Sequence, residues 1–541
     1  MKELKYEELS IKQKLGMVMA GIVRPIRCED KYETFDENFE FVLDLIRNHS
    51  LGAVWVPVTT LTGVAGMFPG HPDVIDKIRE AADYPILIFT DAESGMGDHQ
   101  IGRHNALGAT GSEDLAYIFG KVTGITARKM GYNVVCDPVV DMVKDWVAVG
   151  GNIRSLGSDK HKVSSLAKAE ARGLKDAGVL TVAKHYPSAG GSKIDGHMAP
   201  TSSHVTKEEL IDYNLFPYTE LMKEGLLDGI MAGHTKLANI DPEYPTSVSE
   251  KAKNIIRELG FDGFFITDAL DMMGLKAQFG DTNVKGLCVE SGIEFILPWF
   301  SAKKAYYDLC DCYEKGIITN TRLDEAVKTV LAAQHKVMNL NPKFEDITDK
   351  DIEMFDRINR DGIYARTDDG LDSSISKDGK HFFAMLVRNE TDIADDGKVS
   401  VDTFTNGWWY PAKITQKLEK LFPNSTVRAI SQFPSPNQNM DVLQDSVDYD
   451  DVVFLTFAEA PAYAGSDHLT HRIVALINAL QLSGKLSTIA HFGNPYPLEE
   501  LNHVPRILIG GVSPDSINAG LEVLAGKYEA KGVLTYDVNF Q

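Results

Sequence analysis

The amino-acid sequence predicts an α/β protein: a (β/α)8 TIM-like barrel followed by a smaller three-layer α/β sandwich domain. Eight short apolar runs, most of them containing Val, Ile or Phe, recur through the first 340 residues. Runs of this kind, lying close to Gly or Pro, are typical of strands buried on both faces. Stretches with helical spacing of apolar residues separate them. The same rhythm returns after a charged segment, and this return predicts the second domain.

The number and spacing of the apolar runs favour a closed barrel. They are GMVMAG (16–21), GAVWV (52–56), ILIFTD (86–91), NVVCDP (133–138), LTVAKH (180–185), GIMAGH (229–234), FFITD (264–268) and EFILP (294–298). Eight strands alternating with helices indicate a (β/α)8 barrel, with a doubly wound open sheet as the alternative. No strand–helix unit opens with a G-x-G-x-x-G loop, which favours the barrel.

The predicted domains are the barrel at 1–340, a linker at 341–380 and the sandwich domain at 381–541. The linker segment is dense in charge and poor in apolar residues, as expected of a surface helix followed by a connecting stretch. Five further buried strands are predicted after it. They are FFAMLV (382–387), TVRAIS (426–431), VVFLTFA (452–458), STIAHFG (487–493) and RILIGG (506–511).

Composition excludes several classes of protein. Lys and Arg number 55 against 77 Asp and Glu, a formal charge of −22, so binding to nucleic acid or to an anionic membrane is not expected. A locally basic pocket remains compatible with this charge.

The N-terminus lacks an export signal and no apolar run reaches about 18 residues, which predicts a cytoplasmic protein. The five cysteines form no C-x-x-C pair, so we expect free thiols, without a disulfide scaffold or a structural zinc.

Polar residues follow the predicted strands directly, where α/β barrels collect their catalytic groups. They are Asp91, Asp137, Lys184, His185, His234 and Asp268. Carboxylates predominate, and no metal-ligand spacing, G-x-S-x-G or phosphate-binding loop accompanies them. We therefore expect no metal and no cofactor. A barrel opening that is rich in carboxylates suits the cleavage of glycosidic bonds, in which a carboxylate stabilises an oxocarbenium-like transition state.

Asp268 is the candidate nucleophile. It ends the apolar run in FDGFFITD, where a carboxylate has no packing purpose. The alternative is that Asp268 caps the following helix. We assign that capping role to Asp271 instead, because Asp271 lies beyond the end of the strand.

The segment 184–200, KHYPSAGGSKIDGHMAP, is the richest in polar groups. A Lys–His pair closes the strand, and a Gly- and Ser-containing loop leads to Asp195 and His197. A carboxylate on one imidazole nitrogen fixes the tautomer and raises the basicity of the other nitrogen. His197 is therefore a candidate general acid/base, although a D-x-H pair is by itself a weak signal.

These segments carry a family resemblance. KHYPSAGGSKIDGH is similar to the KHFPGHG-(x)4-DSH motif of glycoside hydrolase family three, in its β-N-acetylhexosaminidase branch. FDGFFITDALDM resembles the nucleophile segment of that family, and ILIFTDAESG its strand-ending D-Q-E-G-G. Three further segments match in order: LGATGSEDLAYIFG, GYNVVCDPVVDM and IRSLGSD. The resemblance spans nearly all of residues 8–340, and many members append an α/β sandwich domain.

The resemblance implies a retaining exo-glycosidase that removes terminal β-linked N-acetylhexosamine from a carbohydrate substrate. Asp268 would form a covalent glycosyl–enzyme, and His197, oriented by Asp195, would act as acid and then as base. The residues implied to bind the sugar hydroxyls are Asp91, Arg154, Lys184 and His185. Carbohydrate is the expected partner, and the expected assembly is a monomer or a homodimer.

Departures from the family pattern keep other functions open. Ser188, Ala189 and Gly190 replace Gly-His-Gly of the family loop, Met96 replaces an Arg, and Gly196 replaces a Ser. The alternatives are a β-N-acetylglucosaminide phosphorylase, a β-glucosidase or xylosidase, and a non-catalytic sugar-binding protein. A neutral imidazole base repels phosphate less than a carboxylate would, so a phosphorylase remains an alternative function.

Four further features are interpreted as structural. His234 is interpreted as a packing or supporting histidine, and Asp137 and Asp141 as supports of the barrel. Trp408 and Trp409 are assigned a structural or interface role, as is AEAPAYAGSDH.

Overall fold

The computed structural model describes most of the chain. The described residues are 1–25, 34–64, 69–143, 153–188, 194–280, 283–367, 374–393, 397–404, 411–459, 468–501 and 503–539. The chain divides into two compact units. The first comprises 1–99, 116–142 and 160–352, and the second comprises 100–115, 143–159 and 353–541.

Eight parallel strands form the sheet of the first unit, in chain order. They are β1 (Ala20–Ile22), β2 (Ala53–Trp55), β3 (Leu87–Thr90), β4 (Val134–Val135), β5 (Leu180–Tyr186), β6 (Gly229–Ala232), β7 (Phe264–Ala269) and β8 (Phe295–Leu297). A parallel bridge between Met19 and Ile296 joins the first strand to the last, and the Ile296 N–H donates to the Val18 carbonyl at 3.0 Å. The sheet is thus nearly closed, and the predicted barrel is confirmed.

Aromatic rings fill the centre of this barrel. Phe89 of β3 and Phe264 of β7 meet edge to face with ring centroids 6.0 Å apart, although their strands are far apart in the sheet order. Phe295 contacts both rings, at 5.7 and 5.3 Å. Gly229 gives Phe264 room, because a Cβ at Gly229 would lie 2.3 Å from the Phe264 ring. The aromatic side chains of these strands thus pack against one another across the barrel, and this packing keeps them buried.

Helices alternate with the strands. The α-helices are Ile11–Met17, Phe35–Arg47, Val58–Thr62, Val74–Ala81, His104–Thr110, Glu113–Met130, Lys160–Asp176, Lys207–Glu209, Phe216–Lys223, Glu250–Glu258, Met273–Phe279, Asn283–Glu290, Ala302–Glu314, Asn320–Met338, Asp349–Asp361, Pro411–Leu421, Pro436–Asp445, His471–Leu482 and Pro514–Leu524. Several begin at a Ser or Thr whose side chain accepts a backbone N–H of the first turn, such as Thr34, Ser249 and Thr319. Such caps satisfy N–H groups that have no partner within the helix.

Shorter elements complete the description. A π-helical turn covers Leu210–Asn214, and 3-10 turns cover Tyr6–Glu8, Ser446–Asp448 and Tyr496–Glu500. Two-residue strands lie at Gly95–Met96, His99–Gln100, Ser202–Ser203 and Lys236–Leu237. In the described parts of the chain, no helix combines the length and apolar character needed to cross a membrane.

The second unit contains a seven-stranded mixed sheet. Its strands are β9 (Tyr364–Thr367), β10 (His381–Ile393), β11 (Val399–Phe404), β12 (Thr426–Ser431), β13 (Asp451–Ala458), β14 (Leu486–Gly493) and β15 (Arg506–Gly510). The order is β9-β15-β14-β13-β10-β11, and β12 pairs with β10. The outer strands β9 and β11 pair antiparallel, and the others pair parallel.

Separate apolar clusters cover this sheet. One contains Phe383, Leu418 and Phe492, and the other contains Phe454, Ile477 and Leu498. Side chains of successive strand residues point to opposite faces, so the sheet has helices on both sides, as the sandwich prediction requires. Helix Asp349–Asp361 and strand β9 both lie within the segment 341–380 that the sequence predicts as a linker.

A buried histidine makes the second unit sensitive to acid. His491 of β14 is 0% exposed; its Nε2–H donates to the Asn494 carbonyl at 2.5 Å, and its Nδ1 accepts from the Thr456 hydroxyl at 2.8 Å. Burial lowers the pKa of His491 from 6.5 to about 4. Between these values the unfolded chain takes up a proton that the folded protein does not. Stability is therefore lost as the pH falls through this window.

We expect the variant His491→Gln to lose less stability than wild type between pH 6.5 and 4. Gln can donate to Asn494 and accept from Thr456, and it does not titrate in this range. The two proteins should therefore differ by at most about 3 kcal/mol in the unfolding free energy that they lose between pH 6.5 and 4. Chemical denaturation of both proteins across this pH range measures it. If the unfolding free energies of the two proteins fall in parallel with pH, His491 is not the cause of the acid sensitivity.

Candidate active site

The carboxyl ends of β3, β5 and β7 bring the predicted residues to one rim of the barrel. Asp91 follows β3, Lys184 and His185 lie near the end of β5, and Asp268 lies near the end of β7. Because all eight strands are parallel, their carboxyl ends share one mouth. The fold thus assembles a rim of polar groups from positions far apart in sequence.

Lys184 holds two carboxylates of this rim. The lysine is 1% exposed, and its ammonium pairs with Asp91 and, at 2.7 Å, with Glu93. A buried ammonium requires such partners. Glu93 was not predicted as a site residue from the sequence, although it lies only two residues after the strand-ending Asp91. Lys184 therefore fixes the segment after β3 against the end of β5.

His185 is held by Asp141, which the sequence analysis interpreted only as a support of the barrel. Asp141 accepts the His185 backbone N–H at 3.1 Å and contacts ring Nδ1 at 2.8 Å. A carboxylate accepts, so Nδ1 carries the proton and Nε2 is the basic nitrogen of the neutral ring. Backbone bonds between Val140 and Lys184 (2.8 Å) and between Lys184 and Pro138 (3.2 Å) align the two segments.

Ser188 occupies a glycine position of the family loop. Its φ is 57°, in the left-handed region that disfavours most side chains. Its hydroxyl accepts from the Met142 N–H at 2.8 Å and donates to the Val140 carbonyl at 3.1 Å. These bonds offset the unfavourable backbone conformation. Ala189 and Gly190 lie outside the described residues.

Asp268 accepts the Ala269 N–H at 2.7 Å. Desolvation is the largest single influence on the pKa of Asp268, and it acts to raise that pKa. The electrostatic influence of the His185 and His234 rings, together with the Ala269 N–H, outweighs it. The pKa of Asp268 is therefore held below its ordinary value, and the side chain is a carboxylate at neutral pH.

Asp195 and His197 form a hydrogen-bonded pair in the loop after β5. The Asp195 carboxylate contacts His197 Nδ1 at 2.8 Å and accepts the His197 backbone N–H at 2.9 Å. The Asp195 carboxylate is nearly fully buried, whereas His197 is partly exposed. His197 also influences Asp268 electrostatically, less than His185 or His234 does. Since Nδ1 donates to Asp195, Nε2 is the nitrogen left for proton transfer.

The loop that carries this pair packs against the helix that follows strand β7. The Met273 N–H donates to the His197 carbonyl at 2.9 Å. A Cβ on Gly274 would lie 2.5 Å from the Gly196 carbonyl oxygen and 2.6 Å from that of Ala199. Only glycine permits this approach.

Asp271 is not the cap of this helix, and that prediction was wrong. Met272 is the N-cap residue of Met273–Phe279, and no side chain caps it. Asp271 instead accepts the Trp299 N–H at 2.6 Å and pairs with Lys276 at 3.0 Å. Its carboxylate joins the segment after β7 to the segment after β8.

His234 supports the chain next to Asp268. Its Nε2 lies 3.0 Å from the Ala269 carbonyl and its Nδ1 lies 2.8 Å from the Ser247 hydroxyl. A carbonyl only accepts, so Nε2 carries the proton and Nδ1 accepts from Ser247. Burial, the largest influence, lowers the pKa of His234. The ring is therefore neutral and supports the chain next to Asp268.

The remaining predicted residues lie elsewhere. Arg154 belongs to the segment 143–159 of the second unit and is half-buried, so its role in sugar binding stays a prediction. Asp137 is buried at the end of β4. Trp408, Trp409 and residues 460–467 lie outside the described residues.

The rim combines an ionised carboxylate, an imidazole–carboxylate pair and a set of charged groups able to bind hydroxyls. The carboxylates of Asp91, Asp141 and Asp195 are each bonded to a Lys or His side chain. They are thus arranged as partners of cations and imidazoles rather than as a cluster of metal ligands. Such a set suits attack on an anomeric carbon with proton transfer to the leaving group.

Comparison with known proteins identifies the family. Residues 40–333, more than half of the chain, match the Glycosyl hydrolase family 3 N terminal domain. The chain belongs to glycosyl hydrolase family 3.

Two curated relatives and two solved structures illustrate the similarity. The chain is 26% identical over 320 residues to a beta-N-acetylglucosaminidase/beta-glucosidase of Cellulomonas fimi, covering 55% of each chain. It is 30% identical over 240 residues to beta-hexosaminidase LpqI of Mycobacterium tuberculosis, covering 41% of this chain and 60% of that one. The chain thus spans little more than half the length of these relatives.

The solved structures share the fold over nearly the whole chain. One is a family 3 beta-N-acetylglucosaminidase from Paenibacillus, with a TM-score of 0.77, 22% identity and coverage of 98% of this chain and 100% of that one. Another is the beta-glucoside phosphorylase BglX, with a TM-score of 0.76, 20% identity and coverage of 98% and 94%.

The glycine contact yields a matched pair of substitutions. Gly274→Ala would drive a Cβ into two backbone oxygens, whereas a Cβ at Gly196 meets only Met272 and Thr201 side chains at 3.6 Å. We expect Gly274→Ala to displace the Asp195–His197 loop and, if the chain hydrolyses glycosides as proposed below, to lower kcat/KM by about tenfold or more. Gly196→Ala should change it by less than about threefold. Steady-state kinetics of both variants measure this, and equal activities would contradict it.

Proposed function

We propose that this protein is a retaining exo-glycoside hydrolase that removes terminal β-linked N-acetylhexosamine, N-acetylglucosamine or a related sugar. The observation that carries the proposal is the Asp195–His197 pair, bonded through Nδ1 at 2.8 Å, in a loop bonded to the segment after nucleophile strand β7. Several of the similar proteins are named beta-hexosaminidases. The D-x-H pair in place of a second catalytic carboxylate counts against a β-glucosidase or xylosidase.

The first step transfers the sugar to the enzyme. The Asp268 carboxylate attacks the anomeric carbon as the bond to the leaving oxygen breaks. His197, protonated at Nε2, gives that proton to the leaving oxygen, while Nδ1–H stays bonded to Asp195. The low pKa of Asp268 keeps the nucleophile ionised, and the product of this step is a covalent glycosyl–enzyme.

The second step returns the enzyme to its starting state. Neutral His197 takes a proton from water at Nε2 as the water oxygen attacks the anomeric carbon. The bond between sugar and Asp268 breaks, and its electron pair returns to the carboxylate. Two displacements at one carbon retain its configuration.

Binding of the terminal sugar falls to the charged rim. We assign hydroxyl recognition to Asp91, Lys184, His185 and Arg154. The bonds that Lys184 donates to Asp91 and that His185 donates to Asp141 support this, because they hold the polar atoms in place before the sugar arrives. The expected setting is cytoplasmic, as a monomer or homodimer.

Replacement of the nucleophile tests the proposal. We expect Asp268→Ala to lower kcat/KM for p-nitrophenyl N-acetyl-β-glucosaminide and the corresponding galactosaminide by roughly 10⁴-fold, because no carboxylate remains to form the glycosyl–enzyme. Asp262→Ala, at an exposed aspartate just before the same strand, is the control and should keep wild-type activity.

The same assay separates the alternatives. Equal activity of wild type and Asp268→Ala would overturn the nucleophile assignment. Faster hydrolysis of the p-nitrophenyl β-glucoside or β-xyloside would show a different sugar class. Sugar binding by wild type without turnover of any of these would show a non-catalytic protein.

Phosphorolysis is the second candidate, and the His197 base favours it. A neutral imidazole repels a phosphate dianion less than a carboxylate base would. If phosphate replaces water in the second step, the product in phosphate buffer is the sugar 1-phosphate. We expect free sugar as the main product in phosphate and in non-phosphate buffer; sugar 1-phosphate as the main product would identify a phosphorylase.

A further inference from the structure

A buried lysine lies behind the candidate site, on the helix that precedes the nucleophile strand. The inward face of helix Glu250–Glu258 consists of Ala252, Ile255, Ile256 and Lys253. Lys253 is only 2% exposed. A lysine is almost never buried to this extent unless its ammonium has partners, since removal of its charge from water is unfavourable.

The Lys253 ammonium is surrounded by neutral acceptors. Its Nζ lies 3.1 Å from the Thr246 carbonyl, 3.3 Å from the Ser247 carbonyl and 3.0 Å from the Ser291 hydroxyl oxygen. An ammonium has three N–H donors, and these three oxygens match them. The bonds fix the backbone at 246 and 247.

The charged surroundings of Lys253 are mixed. Burial is the largest influence and lowers the pKa of Lys253 to about 7, opposed by Cys288, Glu294 and Glu250 and reinforced by Arg322. Below that pH Lys253 is charged in the folded protein.

The backbone that Lys253 fixes also carries the support of the nucleophile. The Ser247 hydroxyl donates to His234 Nδ1 at 2.8 Å, and the Ser247 N–H donates to the Gly233 carbonyl at 3.1 Å. His234 Nε2–H donates to the Ala269 carbonyl at 3.0 Å. The Ala269 N–H in turn donates to Asp268 at 2.7 Å. Hydrogen bonds in series therefore lead from Lys253 through Ser247 and His234 to the carboxylate.

Burial of the Lys253 ammonium is unfavourable for folding, because the charge loses its solvation by water. Its hydrogen bonds to three neutral oxygens offset part of that loss. A charge that is unfavourable for folding but anchors the support of a functional group suggests a functional role. We propose that Lys253 is a positioning residue that fixes Ser247 and His234 behind Asp268, at a cost to the stability of the barrel. This inference rests on the proposed role of Asp268.

Lys253→Met tests both parts of the proposal. With p-nitrophenyl N-acetyl-β-glucosaminide at pH 6, we expect kcat to fall about tenfold, because the strand end loses its fixed support. KM should stay within about twofold, because the sugar-binding rim is untouched. The Tm of Lys253→Met relative to wild type should rise as the pH falls from 10.5 to about 7, because in this range the wild-type lysine is charged in the unfolded chain and neutral in the folded protein. Lys251→Met, at an exposed lysine of the same helix, is the matched control and should leave kcat and KM unchanged.

A double-mutant cycle tests the route. If Lys253 acts through Ser247, adding Ser247→Ala to Lys253→Met should lower kcat by clearly less than the product of the two single effects. A kcat for Lys253→Met within twofold of Lys251→Met, strictly multiplicative effects, or a Tm difference from wild type that stays constant between pH 10.5 and 7 would overturn the proposal.

A spectroscopic readout separates this proposal from the proposed function. The imidazole ¹⁵N shifts of His234, assigned with His234→Gln, should change in Lys253→Met and not in Lys251→Met. If wild type cleaves no glycoside, the proposed function fails, and these shifts still decide the positioning role. Unchanged shifts in Lys253→Met would overturn that role.

Discussion

The parallel pairing that closes the barrel is the constraint on which the site depends. Each strand of the first unit contributes only two to seven residues, yet their common direction places every carboxyl end at one mouth. The bridge from Met19 to Ile296 joins the last strand to the first. Without closure, the ends of β3, β5 and β7 would lie along an open edge. Closure brings them around one opening, where a substrate can contact all three.

Buried and half-buried polar groups of this mouth are organised in pairs. Lys184 joins Asp91 and Glu93, and two His–Asp pairs are built alike: each aspartate contacts Nδ1 and also accepts the backbone N–H of the same histidine. Bonding to both the ring and the main chain fixes the tautomer and the ring orientation together. The site is thus organised before any sugar binds.

Regular local patterns account for what the sequence predicts well. The eight apolar runs and the polar residues that close five of them are local patterns in the chain. Lys184, His185 and Asp268 could therefore be placed at strand ends in advance. The strands β9 and β11 were missed because YART and VSVDTF are short or alternating and polar rather than continuous apolar runs. Both strands lie at the edge of their sheet, where a strand pairs with only one neighbouring strand and need not be a continuous apolar run.

Pairwise contacts between distant segments could not be predicted in the same way. Asp141 meets His185 from 44 residues away, and no local pattern marks that contact. Asp271 was assigned as a helix cap from its distance to the strand end, but its carboxylate is taken by the Trp299 N–H. Lys253 falls on the buried face of an amphipathic helix, where spacing indicates an apolar residue. The sequence pattern locates elements, and the tertiary contacts decide what each polar side chain does.

The close contact at Gly274 joins the loop of the Asp195–His197 pair to the segment that follows strand β7. Met273, bonded to the His197 carbonyl, is only five residues beyond Asp268. The position of the proposed proton donor therefore depends on a junction that lies only a few residues beyond the proposed nucleophile. For protein engineering, residues 195–199 cannot be altered independently of residues 268–274.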